Sequence, residues 1–97
     1  MSRPTLLGDD TIASFLSSHP RWRLEGHRLR CDYHIPYNEA LDVLLATRDV
    51  VRERDHHPVC EVGYNGLSVT LWTHDRGGVT ELDLVIATAF DLAVEGG

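Results

Sequence analysis

From Cys60 to Trp72 the chain alternates apolar with small or polar residues on both sides of Asn65-Gly66, and this pattern restricts the folds open to it more than any other feature. Asn-Gly is the preferred pair for a type I′ turn, whose twist matches two antiparallel strands. With those two residues as the turn, Tyr64 faces Leu67. Cys60, Val62, Tyr64, Leu67, Val69 and Leu71 then share one face as a core stripe, and Gly63, Ser68, Thr70, Trp72 and His74 take the other. Counting outward in the same register sets His74 opposite His57, with His56 beside it.

A shorter alternating stretch precedes it. If Glu25-Gly26 is its turn, Trp22 faces Leu29. Trp22, Leu24, Leu29, Cys31 and Tyr33 line the inner face, and Arg21, Arg23, Arg28 and Arg30 the outer one. Four arginines in a row are either a solvated surface or a contact for an anion or an acidic partner. Between the hairpins, Pro36 suits the first turn of a long helix reaching to about Arg54. Tyr37, Ala40, Leu41, Leu44, Leu45 and Val51 form one stripe on it, and Val43, Ala46 and Val50 a second. A small domain needs one buried helix face, so the second stripe is expected to meet another copy of the chain.

At the start, Asp9 or Asp10 can cap a short helix carrying Ile12, Phe15 and Leu16, which His19-Pro20 ends. Near the end, Thr80 and Asp83 stand at capping-box spacing, with Val79 and Leu84 as a hydrophobic staple. The helix they open should run from about Glu81 to Ala93, leaving Gly96-Gly97 frayed. The element order is α-ββ-α-ββ-α. Hairpins in place of crossovers predict an α+β fold, a four-stranded antiparallel sheet with helices on one face. An outer strand edge is left open for a second copy to pair with.

Ninety-seven residues allow one compact domain, expected to span 1–97. The net charge is −6 and all nine cations are arginine, which excludes a Schiff-base lysine and a lysine-bearing P-loop. Residues 1–54 balance eight arginines with eight acids, whereas 55–97 set Arg76 alone against seven acids. That sign argues against direct nucleic-acid binding. Cys31 and Cys60 form no C-x-x-C, and no apolar leader follows Met1, so a cytoplasmic protein with reduced thiols is expected. Apolar runs of four or five residues predict no membrane span.

The hairpin register gathers His56, His57 and His74 at one end of the sheet, with Asp55, Asp75 and Asp83 close in sequence. Imidazole accepts a proton and imidazolium donates one near neutral pH, so such a group can act as an acid and base pair. That suits the expulsion of a poor leaving group such as hydroxide. The same histidines with Cys60 could hold zinc, although Cys60 falls on the core face and standard ligand spacings are missing. The group could also be structural, hydrogen-bonded at a helix–strand junction. Asp83 has two readings as well, a helix cap or a member of the site.

Asp55-His56-His57-Pro58, Tyr64-Asn65, Thr73-His74-Asp75, Gly77-Gly78-Val79-Thr80 and Asp83 together resemble the pterin-4a-carbinolamine dehydratase family. In animals that family includes the dimerization cofactor of a homeodomain transcription factor. The likeness extends from Trp22 through the last helix. It implies homodimers or homotetramers that join sheets edge to edge and pack the long helices together. The implied reaction is loss of water from a 4a-hydroxytetrahydropterin to give quinonoid dihydropterin, with no metal or bound cofactor. His56, His57 and His74 would be catalytic. His56 and His74 would exchange protons with the 4a-hydroxyl and N5, and His57 would position the pterin. Asp55, Trp72, Thr73 and Asp83 fall on substrate-binding positions. The chain departs from the family pattern at Arg52, Val59 and Cys60. Those departures leave two other uses of the fold open, a non-catalytic assembly factor or transcription cofactor and an acid–base enzyme acting on another heterocycle.

Overall fold

The computed structural model describes residues 4–96. It contains α1 (Asp9–Ser18), β1 (Trp22–Glu25), β2 (Arg28–Tyr33), α2 (Tyr37–Arg54), β3 (Val59–Gly63), β4 (Gly66–Leu71), a single 3-10 turn (His74–Arg76) and α3 (Glu81–Gly96). The fold is α+β with the expected order. The four strands form one antiparallel sheet ordered β1-β2-β4-β3, so the two hairpins join through their second strands.

One face of the sheet is apolar. Trp22, Leu29, Cys31, Tyr33, Leu67, Val69 and Leu71 are buried there with Ile86, Ala87 and Phe90 of α3 and Ala40 and Val43 of α2. Burying each large side chain of this group stabilises the fold by about 1.5–3 kcal/mol relative to exposure. Asp91 ties the layers together, because its Oδ1 accepts the Tyr33 hydroxyl at 2.6 Å and the Trp22 indole N–H at 3.1 Å.

Both hairpins turn one residue away from the predicted place. In the first, Glu25 pairs with Arg28 and the turn is Gly26-His27, with Gly26 at φ 62°. Glycine takes that left-handed geometry without a Cβ clash. Trp22 therefore faces Cys31, not Leu29. In the second, Gly63 pairs with Gly66 around Tyr64-Asn65, and neither turn residue has positive φ, so the type I′ turn does not form. Tyr64 leaves the core stripe and is 86% exposed. In each case the pairing shifts by two positions, which leaves the residues that remain in the strands on their predicted faces. Alternation cannot separate such registers, and packing selects between them. Tyr33 pairs with Leu67 across β2 and β4, and the Tyr64 carbonyl accepts the Tyr37 N–H at the start of α2.

The long helix corrects the expected interface. Val43 is buried and Val50 half-buried against the core, while Tyr37, Leu41, Leu45 and Ala46 are exposed. The second stripe therefore serves the chain's own core, apart from Ala46, and the apolar surface left over comes from the first. At the N-terminus, Gly8 stands at the cap of α1, with Asp9 and Asp10 inside its first turn, and α1 ends before His19-Pro20 as expected. Pro36 caps α2 from just outside it. The last helix continues through Gly96, beyond the predicted end, and Gly97 lies outside the described residues.

Candidate active site

The end of α2 sets the site. Asp55 adopts a left-handed conformation at φ 48°, which short polar side chains tolerate, and its N–H closes the helix onto the Val51 and Arg52 carbonyls. The chain reverses there and carries His56 inward, where it is buried, while Asp55 and His57 stay exposed. His56 Nε2 lies 2.5 Å from Asp83 Oδ1.

Asp83 is fully buried in the first turn of α3. Its Oδ2 accepts the Thr80 N–H at 2.8 Å, and the Thr80 hydroxyl accepts the Leu82 N–H at 3.3 Å. That is a capping box with a shifted partner, and Val79 and Leu84 both join the core beside it. Oδ2 also accepts the Thr73 hydroxyl at 3.0 Å, and Thr73 and Thr80 share a hydroxyl bond of 2.6 Å. The cap reading of Asp83 holds, and the same carboxylate that starts the helix also holds His56.

Strand β4 ends at Leu71, and Thr73 continues it by one bridge to Gly78. Thr73 turns inward to Asp83. Trp72, half-buried, turns to the opposite face, with its ring 6.4 Å from the His74 ring. His74 is exposed and opens the 3-10 turn. The β3–β4 ladder ends at Val59↔Thr70, and its register continued by counting sets His57 level with Trp72. The predicted His57–His74 pairing therefore does not occur. The two-position shift of the hairpin is the cause.

Of the seven residues singled out from sequence, His56, Thr73 and Asp83 form one hydrogen-bonded group, and Trp72 with His74 lies at the same strand end. Asp55 contributes through its backbone turn, and His57 stands exposed beside His56. Thr80, which bonds both Thr73 and α3, reads in the sequence as a cap and as part of the family string, not as a site residue. Among the described residues no three His, Cys, Asp or Glu side chains are grouped to hold a metal ion. Burial pushes the Cys60 thiol up to about 11, far from the thiolate that zinc ligation uses. Cys31 is also free, and its thiol is raised to about 11, mainly by burial.

A four-stranded sheet backed by helices, with a buried histidine bonded to a helix-capping carboxylate, defines an α+β domain. Residues 5–93 match the family model for pterin 4 alpha carbinolamine dehydratase, and the chain belongs to that family. A Picosynechococcus protein given the provisional name pterin-4-alpha-carbinolamine dehydratase is 34% identical over 88 residues, covering 90% of this chain and 96% of that protein. A Chromobacterium violaceum protein with the same provisional name is 37% identical over 82 residues, covering 84% of this chain and 76% of that protein. Among solved structures, a Brucella melitensis protein titled as a transcriptional coactivator/pterin dehydratase superposes with a TM-score of 0.86. It is 25% identical and covers 93% of this chain and 99% of that one. Among the described residues no helix is long and apolar enough to cross a membrane.

Proposed function

We propose that the chain dehydrates a 4a-hydroxytetrahydropterin to quinonoid dihydropterin, with His56, His57 and His74 at the reacting ring. The observation that carries this reading is the Asp83 carboxylate, shared between His56 and Thr73 at the strand end where Trp72 and His74 project. With Nε2 turned to an acceptor, His56 keeps Nδ1 as the nitrogen that exchanges a proton. The C4a–O bond breaks, the departing oxygen takes a proton and leaves as water, and N5 gives up its proton as the C4a=N5 bond forms. His56 and His74 serve these two transfers, His57 positions the pterin, and Trp72 and Thr73 flank the ring. The reaction consumes no oxidant and no metal.

The chain is also read as a homodimer or homotetramer. Tyr37, Leu41 and Leu45 leave an apolar strip on α2 that a second copy would cover, and β1 and β3 are free sheet edges. A cytoplasmic setting would keep Cys31 and Cys60 reduced. The other reading, a protein-binding role without catalysis, is favoured by the same exposed strip and by the likeness to the Brucella melitensis protein described as a transcriptional coactivator/pterin dehydratase.

A stopped-flow assay of a carbinolamine generated in situ separates the two. The wild-type chain should accelerate dehydration, and His56→Ala and His74→Ala should each lose about 10²–10⁴-fold of that rate. Variants as fast as wild type, or a folded wild type without activity, would leave the protein-binding reading.

A further inference from the structure

A cleft of about 510 Å³ has none of the three histidines in its lining. It lies on the open face of the sheet, opposite the face where Thr73 and His56 meet Asp83, between the first hairpin turn and the end of β4. Glu25, His27, Arg28, Arg30, Thr70, Trp72 and Gly77 line it, and Trp72 and Gly77 come close to His74 in the chain. A ligand at His74 and Trp72 can extend into it without crossing a strand.

The charges in the cleft are unevenly satisfied. Among the described residues, the ion pairs made by the outer-face arginines are Arg21–Glu95, Arg23–Glu25, Arg23–Asp32 and Arg30–Asp32. Arg28 has none of these. Its cross-strand partner is Glu25, yet the Glu25 carboxylate is turned to Arg23 at 2.5 Å. Arg28 instead lies flat over Trp72, with Cζ 4.0 Å from the ring centroid. The register accounts for this contact, because Leu29 pairs with Leu71 and Arg28 and Trp72 come level one step further along. Arg30, directly opposite Thr70, stands on the same face two residues on.

An exposed guanidinium held by the face of a half-buried tryptophan is poised to exchange that contact for a stronger one. A charge-assisted bond to an anion outweighs an exposed cation–π contact, and the planar fork of arginine fits phosphate or carboxylate. On a chain of net charge −6, an unpaired arginine in a cleft that opens beside the site marks selection for negative charge. We infer that this cleft receives an anionic group, phosphate or carboxylate, carried on the side chain of the heterocyclic substrate, with Arg28 swinging from Trp72 to pair with it. The inference rests on the dehydratase reading for the ring and adds the class of its substituent.

Calorimetric titration at low ionic strength tests it with a matched pair, dihydroneopterin monophosphate and dihydroneopterin, and with pyrophosphate as a ring-free anion. The wild-type chain should bind the phosphorylated pterin about tenfold more tightly than the neutral one. Arg28→Gln, a change on an exposed position, should bring that ratio close to one, and so should high salt. Equal affinities in the wild type, or a preference that survives Arg28→Gln, would overturn the inference and leave the dehydratase reading intact. Arg28-dependent binding of pyrophosphate with no binding of either pterin would support the anion cleft and remove the pterin. Binding of none of the three would overturn both.

Discussion

His56 and Asp83, 27 positions apart, meet at 2.5 Å in the core, and the same carboxylate that holds the imidazole also caps α3 through the Thr80 N–H. Site geometry and helix start therefore depend on one residue. Asp83→Ala should leave the His56 ring, the Thr73 hydroxyl and the Thr80 N–H without their shared acceptor. The expected loss is about 2–4 kcal/mol of unfolding free energy, from buried donors left unpaired and a lost cap. Urea titration reads it directly, and a change below about 0.5 kcal/mol, the range of an ordinary surface substitution, would contradict it.

Asp91 makes a second buried tie away from the site. Its Oδ1 takes both the Trp22 indole and the Tyr33 hydroxyl, and burial first, then that bond, holds the Tyr33 phenol well above its ordinary range. Asp91→Ala strands two buried donors and should cost about 2–4 kcal/mol, with Asp91→Asn recovering part of it. Both variants are compared by denaturant unfolding followed through tryptophan fluorescence. Equal stability of Asp91→Ala and wild type would refute the tie.

Asp32 titrates at about 2. The Ser68 hydroxyl at 2.6 Å is the main cause, followed by Arg23 and then Arg30. A depressed carboxylate contributes stability above its unfolded value near 4 and loses that contribution as pH falls toward 2. Because the group is solvent-accessible, the contribution is small, but the titration itself is measurable. Carboxyl NMR should find the Asp32 midpoint near 2, and Ser68→Ala should move it upward. An unmoved midpoint would assign the shift to the arginines alone.

The α2 surface makes a prediction about assembly. Leu41 and Leu45 are 43% and 64% exposed, whereas Val43 is 6% exposed. Replacing Leu41 and Leu45 with Glu should convert the proposed homo-oligomer to smaller species in light scattering while each protomer stays folded. Val43→Glu should unfold the protomer, since it buries a charge in an apolar core. A native chain already monomeric would remove the proposed interface.

Much of this molecule can be read without coordinates. The period-two alternation in both hairpins and the stop at His19-Pro20 are local signals with local causes, as is the capping pair Thr80 and Asp83. The inward or outward side of the strand residues follows from the alternation. Residue types and spacing around His56-His57, Thr73-His74 and Asp83 were enough to suggest the family.

Other features depend on contacts between distant segments. A two-position shift preserves every strand face, so the sequence pattern is blind to it, and the register goes with the pairing of Tyr33 with Leu67 and the hydrogen bond from the Tyr37 N–H to the Tyr64 carbonyl. That register moved His57 away from His74. The apolar stripes of α2 could not be ranked from spacing alone, because the helix's rotation is set by how Ala40, Val43 and Thr47 fit the layer beneath. Asp83 reaching His56 and Arg28 covering Trp72 both require elements far apart in sequence to pack side by side. Local periodicity determines which face of an element is apolar. Which residue meets which across elements is decided by the packing of the whole chain, and that contact pattern positions the proposed chemistry.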